Sequence, residues 1–140
     1  MNEFLKGETF DGFIVKHMEV FSVAKFETDG RINPDYLKED EKRTHCFWRE
    51  LRPLAFGLIK GKIKPKVFKT VLALSEDKAQ ILSENAASMH ITVTFENDRI
   101  IFLTGTSQKN FSLNKDTDAA WEGYIKKFFK VHGFICETLE

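Results

Sequence analysis

The sequence predicts an α+β domain, a mostly antiparallel sheet of about five strands with two main helices packed on one face. Three observations carry this expectation. At 140 residues the chain has room for one ordinary core, so residues 1–140 are expected to form a single domain. MHITVTF at 89–95 and RIIFLTG at 99–105 alternate apolar with polar side chains across Glu96-Asn97-Asp98, the pattern of a hairpin with one buried face. Trp121, Tyr124, Ile125, Phe128 and Phe129 fall at i, i+3, i+4, i+7 and i+8, one stripe of an amphipathic helix.

Composition narrows the class. Apolar residues make up 42 % of the chain and charged residues 30 %, a balance that excludes a disordered chain, a collagen-like repeat and a disulfide scaffold. Fourteen phenylalanines against two tryptophans and two tyrosines point to a large aromatic core. Cys46 and Cys136 are too few for a disulfide framework, which predicts a reducing, cytoplasmic compartment. The opening MNEFLKGETFDGF lacks the basic region and apolar run of a signal peptide, and no stretch reaches the roughly 18 apolar residues of a membrane span. No membrane partner is expected.

In chain order, FIVKHMEVFSVAKFET at 13–28 is rich in β-branched and aromatic residues and closes on Asp29-Gly30, so it reads as strand. Its apolar positions fall in both phases, and either a bulge or two strands with an inconspicuous turn accounts for the switch. Pro34 after Asn33 opens a short helical turn in a charged connection. From Phe47 to Gly61 the apolar residues recur at helical steps. Pro53 belongs in a first turn, so the regular helix is expected to begin near Arg52 or Pro53, with Gly61 as the left-handed residue past its end. A strand over about Lys66 to Ser75 and a short helix capped by Ser75 follow. After the hairpin, a turn at Gly105 leads to a short strand, NFSL, and the terminal helix is expected with Asp116 or Thr117 before it and Gly133 after it.

Few residues form a motif with chemistry attached. His17, His45, His90, His132, Cys46 and Cys136 are the soft metal donors, and no pair of them has zinc-site spacing, so neither a metal nor another cofactor is expected. There is no GxSxG elbow, and Glu39-Asp40-Glu41 lies in a charged loop where water relieves the repulsion, so the expectation leans away from an enzyme. Gly57-Leu-Ile-Lys-Gly61-Lys62 imitates a phosphate-binding loop. It has three residues between the glycines rather than four, Ile63 in place of the hydroxyl, and it closes a helix instead of opening one.

Charge is more informative in its distribution than in its total. The formal charge is zero, with 21 bases against 21 acids, which sets aside a whole-molecule field. Residues 1–41 carry a net −5, residues 42–70 a net +8 with Glu50 as their one acid, and residues 71–140 a net −3. Within KGKIKPKVFK an extended chain puts Lys60, Lys62, Lys64 and Lys66 on one side. Such lysines protect a strand edge, or as a functional surface take phosphate or carboxylate. Thr104-Gly105-Thr106-Ser107, read as a glycine turn flanked by hydroxyls, is a second place for an anion. If the fold brings it beside Arg52 and Lys60 to Lys66, the two make one pocket.

The succession FDGFIVKHMEVFSVAKFETDGRI, FWRELRPLAFGLIKGKIKP with VFKTVLALS, and TFENDRIIFLTGTSQKNFSLNKD before a tryptophan-bearing helix resembles a small family of uncharacterised bacterial proteins, a domain of unknown function, over nearly the whole chain. Its most specific pieces here are Trp48 with Leu51-Arg52-Pro53, Ile59-Lys60-Gly61-Lys62, and Thr104-Gly105-Thr106. The resemblance implies a bacterial, cytoplasmic origin and no mechanism. The expected function is a non-catalytic binding domain for a small anionic or polar ligand. Arg52, Lys60 and Lys62 would make the charge contacts, Trp48 a stacking wall, and Thr104 and Thr106 the hydrogen bonds. A nucleic-acid-associated domain using residues 42–70 and a homodimeric interaction module are the alternatives. Overall neutrality and the lack of aromatics interleaved with the bases disfavour nucleic acid.

Overall fold

A computed structural model describes residues 2–60, 64–96, 99–110 and 113–134. Along the chain come α1 (Asn2–Lys6), β1 (Ile14–Phe21), β2 (Lys25–Thr28), a 3-10 turn (Pro34–Tyr36), α2 (Trp48–Ile59), β3 (Val67–Ala73), α3 (Glu76–Leu82), β4 (Ala86–Glu96), β5 (Arg99–Gln108) and α4 (Asp116–Val131). The five strands form one antiparallel sheet in the order β2-β1-β3-β4-β5. This is the α+β class that the sequence predicts.

The register explains the core. Cross-strand partners line up in rows: Val20, Phe68, Phe95 and Ile100; then Met18, Thr70, Val93 and Phe102; then Val15, Leu72, Ile91 and Thr104. These rows share one face, and helices cover it. Phe4 of α1 lies 4.8 Å from the Trp48 ring and 6.2 Å from Phe68, while Phe102 meets Phe129 of α4 at 4.9 Å. Phe10, in the link after α1, touches Phe4, Phe13, Phe102, Phe128 and Phe129. Rings packed tilted or edge-on at these separations add to their area burial, and they account for the phenylalanine-rich composition.

Both explanations for the phase switch in residues 13–28 hold. Two strands are present, joined by a turn in which the Ser22 amide donates to the Ala24 carbonyl at 3.1 Å. In addition, Lys16 is a bulge in β1: Val15 pairs with Leu72 and His17 with Val71. The extra residue lets Val15 and Met18 both point inward although three positions separate them. The buried Thr70 hydroxyl donates to the His17 carbonyl beside the bulge at 2.9 Å.

The structure corrects several boundaries. The helix expected from Arg52 or Pro53 starts at Trp48, leaving Pro53 inside it. Two ties hold that early start: the Phe47 amide donates to the Glu50 carboxylate at 2.8 Å, and the Trp48 amide donates to the Phe13 carbonyl at 2.8 Å. Pro53 is exposed, so water reaches the carbonyl that its missing N–H leaves free. The sequence around Gly105 is no turn, because β5 runs through it to Gln108. Gly61 falls outside the described residues, as do Phe111 and Ser112 of the proposed NFSL strand, whose Asn110 and Leu113 lie in bends. Ser75 does cap α3, accepting from the Lys78 amide, and Gly133 does follow α4 in the left-handed region at φ 77°.

Candidate functional site

Among the described residues, the proposed anion pocket does not assemble as one cluster. Trp48 has no exposed surface and stacks on Phe4 within the core, so it offers no wall to a ligand. Arg52 is engaged internally. Its Nε and Nη2 donate to the two carboxylate oxygens of Asp11 at 2.8 Å each, and Nη1 reaches the Lys6 carbonyl at 3.2 Å and the Leu5 carbonyl at 3.4 Å. This fork fastens α1 and the following loop to α2. Lys60 is exposed at the end of α2, and Lys62 lies outside the described residues.

Thr104 and Thr106 sit on β5, the edge of the sheet opposite β2. They face inward beneath α4, where the Thr106 hydroxyl donates to the Asp118 carboxylate. A hollow of about 480 Å³ there is lined by Thr104, Gly105, Lys115, Asp118, Trp121 and Glu122. Two acids against one base disfavour an anion. Gly105 serves packing: the His90 ring lies across it, and a Cβ there would come within 2.4 Å of Nε2. Burial holds the His90 imidazole below its ordinary pKa.

Of the bases in residues 42–70, Arg43 is also committed internally. It bonds Glu41 at 2.9 Å and both oxygens of Glu50, and its guanidinium lies 4.6 Å from the Phe47 ring, with Arg49 at 4.2 Å. Hydrogen bonding to Arg43 pulls the Glu41 and Glu50 carboxyls below the usual range. Burial pushes the Cys46 thiol up, away from thiolate reactivity. Lys60, Lys64 and Lys66 are exposed, and the Lys66 ammonium lies 5.6 Å from the centre of the Phe21 ring.

A second, larger concavity is one that charge and motif patterns do not register. A groove of about 550 Å³ runs between α2 and the β1–β2 hairpin, lined by Met18, Phe26, Thr28, Leu51, Pro53, Leu54 and Leu58 among others. Phe26 is 42 % and Leu54 61 % exposed, so two large apolar side chains stand in water at its rim. The start of α2 meets β1 where the Trp48 amide binds the Phe13 carbonyl, and the Lys66 amide binds the Phe21 carbonyl at the other end of β1. Lys60 caps α2 two residues after Leu58 of the lining. The signal in the sequence was the pair Leu54 and Phe26, apolar residues that the helix and strand patterns assign to the core.

On the same hairpin, His17, Glu19 and Glu27, the last also bordering the groove, bring one donor atom each within 4.8 Å of one another. Among the described residues, no helix is long and apolar enough to cross a membrane. No curated protein and no solved structure matches the chain. The model of a family of unknown function, DUF5721, matches residues 3–137, and the chain belongs to that family.

Proposed function

We propose that this protein is a non-catalytic binding domain for a small anionic amphiphile, its apolar body in the groove between α2 and the β1–β2 hairpin and its anionic head at the lysines beyond α2. The observation that carries this reading is the groove itself. Its volume of about 550 Å³ lies within the range of small-molecule sites, and its lining is dominated by Met, Phe, Leu and Pro side chains. Covering Phe26 and Leu54 would remove apolar surface from water, worth about 25 cal/mol per Å². Lys60 follows two residues after Leu58 of the lining, and Lys66 lies where β3 begins; both are exposed. An ammonium suits a carboxylate or phosphate head as a point charge. A nucleic-acid surface on residues 42–70 is the weaker reading, because Arg43 and Arg52 already serve internal carboxylates.

Thermal unfolding with dodecanoate, dodecyl phosphate, dodecanol and butyrate, each below its micellar concentration, tests the proposal. Both long-chain anions should raise Tm by several degrees, dodecanol by less, and butyrate not at all. Leu54→Glu should abolish the effect, and Lys60→Glu should weaken binding of the anions more than of the alcohol. Absence of stabilisation by every long-chain compound, or equal stabilisation of the Leu54→Glu variant, would reject it.

A further inference from the structure

The second feature of the β1–β2 hairpin shares Glu27 with the border of the groove but rests on different atoms and a different ligand. We propose that His17, Glu19 and Glu27 form a site for a divalent cation of the zinc class, bound by one imidazole nitrogen and two carboxylate oxygens, with water completing the shell. The fold assembles this donor set from two strands. His17 and Glu19 share a face of β1 because side chains alternate along a strand, and the register that pairs Glu19 with Glu27 supplies the third donor from β2. The bulge at Lys16 sets which face that is, sending Val15 and Met18 into the core and leaving His17 and Glu19 on the side away from the helices.

The distances fit an ion better than a set of hydrogen bonds. His17 Nε2 lies 3.7 Å from Glu19 Oε1 and 3.7 Å from Glu27 Oε1, beyond hydrogen-bond reach of both. A tetrahedral zinc with ligand bonds of about 2.0–2.1 Å separates its ligand atoms by about 3.4 Å. Those two edges therefore need to shorten by only a few tenths of an ångström, and the third lies within 4.8 Å. The backbone is braced as well, by the Thr70 hydroxyl on the His17 carbonyl.

Lys25 sharpens the prediction. Its Nζ is 3.6 Å from Glu19 Oε2 and 3.8 Å from Glu27 Oε2, so it holds the far oxygen of each carboxylate and leaves both Oε1 atoms toward the imidazole. Lys69, the β3 partner of Glu19, shares the face. The ammonium groups oppose an incoming cation, so affinity should be modest and should rise when Lys25 is neutralised. A nitrogen donor with only two carboxylates favours zinc, cobalt or nickel over calcium and magnesium, which call for shells of oxygen.

Calorimetric titration of the full chain with zinc chloride at about pH 7.5, paralleled by cobalt absorption spectra, tests the site. One ion per chain is expected. His17→Asn, Glu19→Gln and Glu27→Gln should each weaken binding at least about tenfold, Lys25→Gln should tighten it several-fold, and His132→Asn should change nothing. In the unaltered chain, the His17 imidazole resonances should shift on zinc addition while those of His90 stay, a readout that does not depend on any variant folding. The proposal is overturned by no binding at about 1 mM zinc, by binding that survives His17→Asn with Glu27→Gln, or by unmoved His17 resonances.

Discussion

Gly105 and His90 show how one cross-strand pair can govern both packing and titration. The imidazole occupies the place where a side chain at position 105 would stand, with Nε2 2.4 Å from an ideal Cβ. Gly105→Ala must push the ring aside, and because the clash falls on the far end of a side chain rather than on backbone, the cost should lie at the low end of the about 1–3 kcal/mol typical of overpacking. A denaturant midpoint should report that loss, and the double variant with His90→Ala should recover most of it, since the clash needs both partners. The same ring is held below its ordinary pKa by burial, so the unfolded chain takes up this proton at higher pH than the folded chain. The stability linked to His90 is complete above the ordinary imidazole value of about 6.5 and is lost as pH falls through the lower folded value. His45 acts in the same direction, through burial and then the charges of Lys16 and Arg31. Unfolding free energy should thus fall between about pH 7 and pH 5, and His90→Gln should flatten part of that slope. A wild-type curve that is flat or rises on acidification would contradict the assignment.

At the scale of elements, Arg52 fastens α1 to α2. Its fork to Asp11 and its contacts with the Leu5 and Lys6 carbonyls hold the turn of chain that inserts Phe4, Leu5 and Phe10 into the core. The pair is largely shielded, with side chains 16 % and 18 % exposed, so Arg52→Ala should cost about 1–3 kcal/mol. Arg52→Lys should recover little, because an ammonium cannot make both bonds to the carboxylate. Hydrogen exchange should show α1 opening first in both variants. This residue marks the limit of what the sequence discloses. The alternation of Ile91 and Val93 with Thr92 and Thr94 and the stripe from Trp121 to Phe129 are set by local period, and they are legible. The destination of Arg52 is not, because its partner lies 41 positions away. The break between β1 and β2 is hidden for another reason, since Ser22-Val23-Ala24 contains no glycine, proline or asparagine to announce a turn. Thr104 to Ser107 misleads in the opposite sense: Gly105 resembles a turn signal but serves a close packing contact. The candidate cation site is half legible, as the spacing of His17 and Glu19 shows one face while Glu27 joins only once the hairpin register is known.

For the whole molecule, the question is whether the two ends of the sheet unfold together, and the two tryptophans can answer it. Trp48 is buried against Phe4 on the side of α1 and α2, with its indole N–H unpartnered among the described residues. Trp121 is buried in α4 near the other edge, its indole N–H donating to the His90 carbonyl at 2.7 Å. Each reports a different half of the sheet. The halves are bridged by Phe4, which touches Trp48, Phe68 and Phe102, and by Phe10, which meets Phe102, Phe128 and Phe129. A core shared in this way should melt as one unit. In Trp48→Phe the remaining fluorescence follows the α4 side, and in Trp121→Phe it follows the α2 side. Within each variant the fluorescence midpoint in urea should coincide with that of far-ultraviolet circular dichroism. Trp121→Phe should lose more stability through the hydrogen bond alone, by about 0.5–1.5 kcal/mol, because it removes a bond made to the His90 carbonyl, whereas the Trp48 indole N–H has no partner among the described residues. Separate midpoints for the two probes would mean that the aromatic bridge through Phe4 and Phe10 does not couple the halves, and the groove beside α2 could then open without disturbing α4.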